Sequence, residues 1–212
     1  MKRAVELDPN SAQSHYRYAI EYLAPVGRID EALVEIKRAL ELDPLSMPIG
    51  ANFAGMYIYA RKYDLALEHA LKVNALEPGH ATASYWLGWA YVTNGKYQEA
   101  INLCEKVLPS QPDNQDLLQI LGYAHAKAGR PAETTRILAK FAEIEKKQYV
   151  VTYRIATLYA VLGNKDRAFA EMERSYEARD WDFNRLKVDP LVDSLRDDPR
   201  FEPLLKKLNL PE

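Results

Sequence analysis

The stretch YWLGWAYVTNGKYQEA, from Tyr85 to Ala100, sets two tryptophans and three tyrosines around Leu87-Gly88, Gly95 and Ala100. Its punctuation recurs along the chain. Pro9, Pro44, Pro78 and Pro112 follow one another at intervals of 35, 34 and 34 residues, in the phrases AVELDPNS, ALELDPLS, VNALEPGH and LPSQPDNQ. Proline fixes φ and donates no hydrogen bond, so each phrase ends one helix and opens a turn. Between the prolines, Gly27, Gly95, Gly129 and Gly163 stand five residues before Ala32, Ala100, Thr134 and Ala168, while Arg61 holds the same place before Ala66. Glycine at these points suits the left-handed residue that closes a helix. The repeating unit is therefore helix, glycine turn, helix, proline turn, with a period near 34 residues.

This grammar resembles the tetratricopeptide repeat. Leu87-Gly88, Tyr91, Gly95, Tyr97, Ala100 and Pro112 fall on its signature positions, whereas Ser84 takes the usual tryptophan slot and Cys104 the usual aromatic of the second helix. The resemblance implies an all-α, right-handed α-solenoid, a superhelix of about five helix pairs. The repeats run over 12–46, 47–80, 81–114, 115–148 and 149–180, after the end of a truncated upstream repeat (1–11) and before short helical capping elements (181–212). The fit weakens toward the C-terminus: Thr134 replaces the packed alanine, and the fifth repeat has no proline before Tyr149. Repeat one carries an extra residue near Ala24-Pro25, expected in its inner turn.

Antiparallel helices approach closely only where side chains are small. Ala19, Ala54, Gly88, Gly122 and Ala156 hold that place on the first helices, and Ala32, Ala66, Ala100 and Ala168 on the second. Tyr22, Tyr57, Leu87, Tyr91, Leu121 and Tyr159 fill the space between pairs. One pair cannot bury its apolar face alone, so stability belongs to the interfaces between neighbours.

The resemblance also implies that first helices line a concave groove. Its positions are Gln13, Tyr16, Ile20, Tyr59, Tyr85, Trp89, Thr93, Gln119, Tyr123, Lys127 and Tyr153, with Asn52 as a further polar contact. Tyr and Trp give large contact area for few rotatable bonds, so a protein or peptide is the expected partner. The competing reading packs Tyr85 and Trp89 against neighbouring repeats and gives Trp86 to the core. A clamp for a C-terminal carboxylate, known in the family, is rejected. Only Asn52 meets its pattern, and Tyr16, Ile20, Thr82 and Trp86 stand where its lysine, first asparagine and basic pair belong.

The chain's flanks read differently. MKRAVELDP is the end of an amphipathic helix and predicts a repeat upstream; self-association through that open end is a further expectation. Beyond Trp181, Asp189-Pro190 and Asp198-Pro199 predict two short helices, about 190–196 and 199–208, as a cap. The segment LKVDPLVDSLRDDPRFEPLLKKLNLP is similar to tails that follow such arrays in bacterial regulators carrying winged-helix, serine/threonine kinase or adenylate cyclase domains. That similarity implies a second function, a regulatory region for an effector domain absent here.

Net charge is −2 among 212 residues, so no positive field recommends nucleic acid. No apolar run reaches the length of a membrane span. The single cysteine, Cys104, excludes an internal disulfide and a thiolate zinc cage. A cytoplasmic setting fits, and one cysteine is equally compatible with a periplasm. His15, His69, His80 and His125 form no metal-binding pattern, and His125 reads as a hydrogen-bonded core histidine. No catalytic, cofactor-binding or metal-ligating set is expected, and the chain reads as a non-enzymatic interaction scaffold.

Overall fold

The computed structural model describes residues 1–210, which are helical and contain no strand. The α-helices are α1 (Lys2–Leu7), α2 (Ala12–Tyr18), α3 (Ile29–Leu42), α4 (Met47–Tyr59), α5 (Tyr63–Leu76) and α6 (Ala81–Thr93). They continue as α7 (Tyr97–Val107), α8 (Gln115–Lys127), α9 (Pro131–Glu145), α10 (Thr152–Val161), α11 (Lys165–Glu177) and α12 (Phe201–Lys206). Asp8, Asp43 and Glu77, each before a proline, take φ of −136°, −136° and −141° and end α1, α3 and α5. A following proline disfavours the helical region at that residue, which is why the helices stop there.

The inner turns close alike. Arg28, Lys62, Arg130 and Asn164 each donate a backbone N–H to the carbonyl five residues back, all at 2.9 Å. The residue before each donor lies in the left-handed region. In the second turn that residue is Arg61, at φ 59°. A side chain there costs stability that glycine avoids. Arg61→Gly is therefore expected to stabilise the protein by roughly 1 kcal/mol. Urea denaturation checks this, and a lower midpoint would contradict it.

The extra residue of repeat one does not sit in the inner turn. Ala19–Leu23 form a π-helical turn that continues α2, with Ala24 N–H bonded to Ala19 O at 2.9 Å. From Leu23 onward the turn matches its counterparts, because Arg28 bonds Leu23 as Lys62 bonds Tyr57. The insertion is thus absorbed inside the helix as one widened turn. Leu23, not Tyr22, becomes the equivalent of Tyr57.

Met1–Asn94 and Gly95–Asn209 belong to two separate compact units. In the first, Tyr18, Ala19, Leu23, Ile36, Ile49, Phe53 and Met56 share a core. Ala32, Ala54 and Ala66 are fully buried, as close helix approach requires. Buried His15 bridges the Pro9 carbonyl (3.0 Å) and Glu35 (2.5 Å), tying the α1–α2 turn to α3. His69 donates from Nε2 to the Gly50 carbonyl at 3.0 Å beneath the Phe53 ring. Burial pushes the His69 imidazole below its usual value. A depressed folded-state value means that protons favour the unfolded chain. Stability should be full above about pH 6.5 and fall as pH drops further. The melting temperature of His69→Gln should decline less over that range than the wild type; an equal decline would contradict the assignment.

In the second unit Ala100, Ala156 and Ala168 are fully buried. Thr134 fits the alanine position because its hydroxyl donates to the Gly122 carbonyl at 2.7 Å. A Cβ at Gly122 would lie 2.9 Å from Leu158 Cδ2, so a side chain there would force Leu158 to shift. Cys104 is buried and its thiol is pushed up to about 12 by burial, as expected of an inert core cysteine. His125 departs from expectation, because its buried Nδ1 has no hydrogen-bond partner. Burial pushes its imidazole below the usual range, which favours the neutral form.

The C-terminal segment packs Phe183, Leu186, Val192, Leu195, Phe201 and Leu204 onto α10 and α11. It contains 3-10 turns at Trp181–Arg185 and Pro190–Leu195, followed by α12. The first expected helix is therefore a 3-10 turn, capped by Asp189 accepting from Leu191 N–H at 2.9 Å. The second begins later than expected, since Asp198 accepts from Arg200 N–H (3.1 Å) in a turn that delays it. Pro211 and Glu212, the end of the expected cap, lie outside the described residues.

Candidate functional site

The first helices of the Met1–Asn94 unit are joined side to side by one asparagine. Asn52 on α4 donates from Nδ2 to the Tyr16 hydroxyl on α2 (3.1 Å) and to the Pro48 carbonyl (2.9 Å). Its Oδ1 accepts from Trp86 Nε1 on α6 at 3.1 Å. The three residues occupy equivalent faces of three successive first helices, so a single amide links all three. Trp86 is buried, with Tyr59 at 5.8 Å and Tyr85 at 4.9 Å meeting its ring edge-on. Edge-to-face contacts of this kind add to the stability gained by burial.

Gly55 makes room for this arrangement. A Cβ at Gly55 would stand 2.5 Å from Trp86 Cζ2, closer than atoms approach, so the indole lies directly on the α4 backbone. Above the buried Trp86, Tyr16, Tyr59 and Tyr85 remain half-exposed. Burial, with Glu21 adding to it, pushes the Tyr16 phenol above its usual value, so the hydroxyl keeps its proton. That hydroxyl accepts from Asn52 and retains its own O–H to donate. The result is an aromatic face held on a fixed polar core.

The remaining sequence-derived positions separate into distinct groups. Gln13 and Lys127 are exposed, and Ile20 is half-buried in the π-helical turn. Thr93 folds its hydroxyl back to the Trp89 carbonyl at 2.9 Å. Trp89, Gln119, Tyr123 and Tyr153 are buried. Gln119 donates to Thr157 at 2.8 Å, and Thr157 to the Arg154 carbonyl at 2.7 Å. The Tyr153 hydroxyl donates to Asp189 at 3.0 Å beneath the C-terminal segment. Gln119 and Tyr153 thus make internal contacts in place of surface ones. Asn52 likewise serves the core, with both ends of its amide engaged.

Comparison with known proteins agrees with this architecture. A family profile described as tetratricopeptide repeat matches residues 57–115. Residues 57–115 carry the tetratricopeptide repeat. A thermophilic tetratricopeptide protein of Thermus thermophilus shares 20% identity at a TM-score of 0.64, over 87% of this chain and 99% of that one. MamA of Desulfovibrio magneticus RS-1 shares 23% at a TM-score of 0.56, over 69% of this chain and 82% of that one. Tetratricopeptide repeat protein 37 of Xenopus laevis is 22% identical over 81% of this chain. The chain spans only 11% of that relative's length. At such identities the likeness speaks for an α-solenoid of helix pairs.

On this face, sequence reasoning passes over Gly55 and leaves Trp86 out of the groove. A legible signal exists: Trp86 follows Asn52 by 34 residues, one repeat length. Two polar-capable side chains one repeat apart on first helices are candidates for a bond between those helices.

Proposed function

We propose that the chain is a non-enzymatic interaction scaffold that holds a peptide segment of a partner protein on the first-helix face of Met1–Asn94. The observation carrying this reading is the set of half-exposed rings Tyr16, Tyr59 and Tyr85, fixed around Trp86 and Asn52. Pre-ordered aromatic side chains lose little entropy on binding and are frequent hot spots. The face carries a hydroxyl donor, Tyr16, suited to a peptide carbonyl. The repeat divisions at 12–46, 47–80, 81–114, 115–148 and 149–180 belong to the same proposal, as does a capping role for the segment from 181. No described helix is long and apolar enough to cross a membrane.

Selection of binders from a displayed random peptide library tests the site. Peptides selected on the wild type should lose about tenfold or more in affinity for Tyr59→Ala and Tyr85→Ala. Val34→Ser, on an exposed second-helix position, should bind them normally. Equal affinity for all three variants would place recognition elsewhere.

A further inference from the structure

A second site lies in the Gly95–Asn209 unit. The end of α11, the turn after it and the end of α12 enclose a cavity of about 210 Å³. Tyr176 and Phe183 stand in its wall, with ring centroids 5.8 Å apart. Ser175 and Asp180 form its floor, and both are more than nine-tenths buried. Asp180 is oriented through Oδ2, which accepts from Thr152 Oγ1 (3.1 Å) and Tyr153 N–H (3.4 Å). Its Oδ1 has no hydrogen-bond partner, and neither has the Ser175 hydroxyl. Buried polar atoms are rarely left so, because each forfeits its bonds to water without replacement.

Lys207, lying 5.2 Å over the Tyr176 ring, is already paired with Glu173. The unpartnered hydroxyl and carboxyl oxygen call for a neutral occupant that carries both a donor and an acceptor. It must bring an N–H for Asp180, an acceptor for the Ser175 O–H, and a flat surface for the rings. We propose that this cavity binds a planar primary carboxamide, its N–H donated to Asp180 and its carbonyl oxygen accepting from Ser175. Burial pushes the Asp180 carboxyl above its usual range, and a carboxamide pairs with either protonation state, having both a donor and an acceptor. Lys207 lies over the Tyr176 ring, so a flat occupant stacking there competes with it.

Nitrogen-15 NMR titration of the full chain with benzamide tests the site. Saturable shifts are expected at Tyr176, Phe183 and Asn184, with a Kd of about 1 mM. Ser175→Ala should weaken binding about tenfold while leaving the melting temperature unchanged or higher, since it removes an unpaired group. Lys207→Ala should bind more tightly. If N-acetylglutamine N-methylamide moves the same signals, the natural occupant is a side chain of a polypeptide; if benzamide alone does so, it is a free small amide. No saturable shift with either compound would overturn the proposal. So would equal binding of benzylamine or benzoate, or unaltered binding by Ser175→Ala.

Discussion

Asp189→Ala is expected to destabilise the Gly95–Asn209 unit by about 3–5 kcal/mol, the range for breaking a buried ion pair from one side. Asp189 is buried and serves three partners. It accepts from Tyr153 Oη at 3.0 Å and from Leu191 N–H at 2.9 Å, and it pairs with Arg185 Nε at 3.4 Å. Arg185 also pairs with Asp182 (3.3 Å) and lies 5.4 Å from the Tyr153 ring centroid. Arg154 extends the network from Asp182 (3.2 Å) to Asp116 (2.7 Å). Burial raises the Asp182 carboxyl, but Arg185 and Arg154 outweigh it and hold the group below its usual value. Alanine at 189 leaves a buried phenol and a buried guanidinium short of an acceptor and removes the cap of a 3-10 turn. Asp189→Asn, which keeps the acceptor but not the charge, should lose less. Urea unfolding followed by a probe in this unit measures both. A loss under about 1 kcal/mol for Asp189→Ala would mean that water replaces the carboxylate.

Gly55→Ala should cost about 1–3 kcal/mol through overpacking. The sign is informative, because the same change in an unconstrained helix interior gains roughly 1 kcal/mol. Here the new methyl meets the Trp86 ring at 2.5 Å and must drive the indole away from the α4 backbone. The Asn52–Trp86 bond breaks with it, and Tyr59 and Tyr85 lose their common support. Thermal denaturation should show the loss, accompanied by a red shift of tryptophan emission. A stabilised variant with unshifted emission would show that Trp86 does not rest on Gly55.

Much of the fold is legible from residue types with hard local rules. Proline placed the helix ends at Asp8, Asp43 and Glu77, and glycine placed the left-handed turns, with Arg61 standing in for it once. Small residues marked the helix contacts, and Ala66 and Gly88 are buried as that demands. The location of an insertion was less legible. Ala24-Pro25 looks like a turn, yet hydrogen bonding to Leu23 fixes the turn and leaves the widening to Ala19–Leu23. At the candidate site, spacing assigned residues to a face without saying which would be covered. Tyr153 has the right register and lies under the C-terminal segment, because Asp189 on that segment takes its hydroxyl. Asn52 was legible as a first-helix polar residue and repeat spacing points from it to Trp86, but nothing in the sequence names Tyr16, 36 residues away, as its other partner.

A crystal structure of the chain with its tightest library-selected peptide tests the proposed site most directly. The peptide should lie across Tyr16, Tyr59 and Tyr85 with the Tyr16 O–H donated to one of its carbonyls. A peptide seated instead on the second helices, beside the exposed Val34, Leu65 and Leu71, would contradict the account.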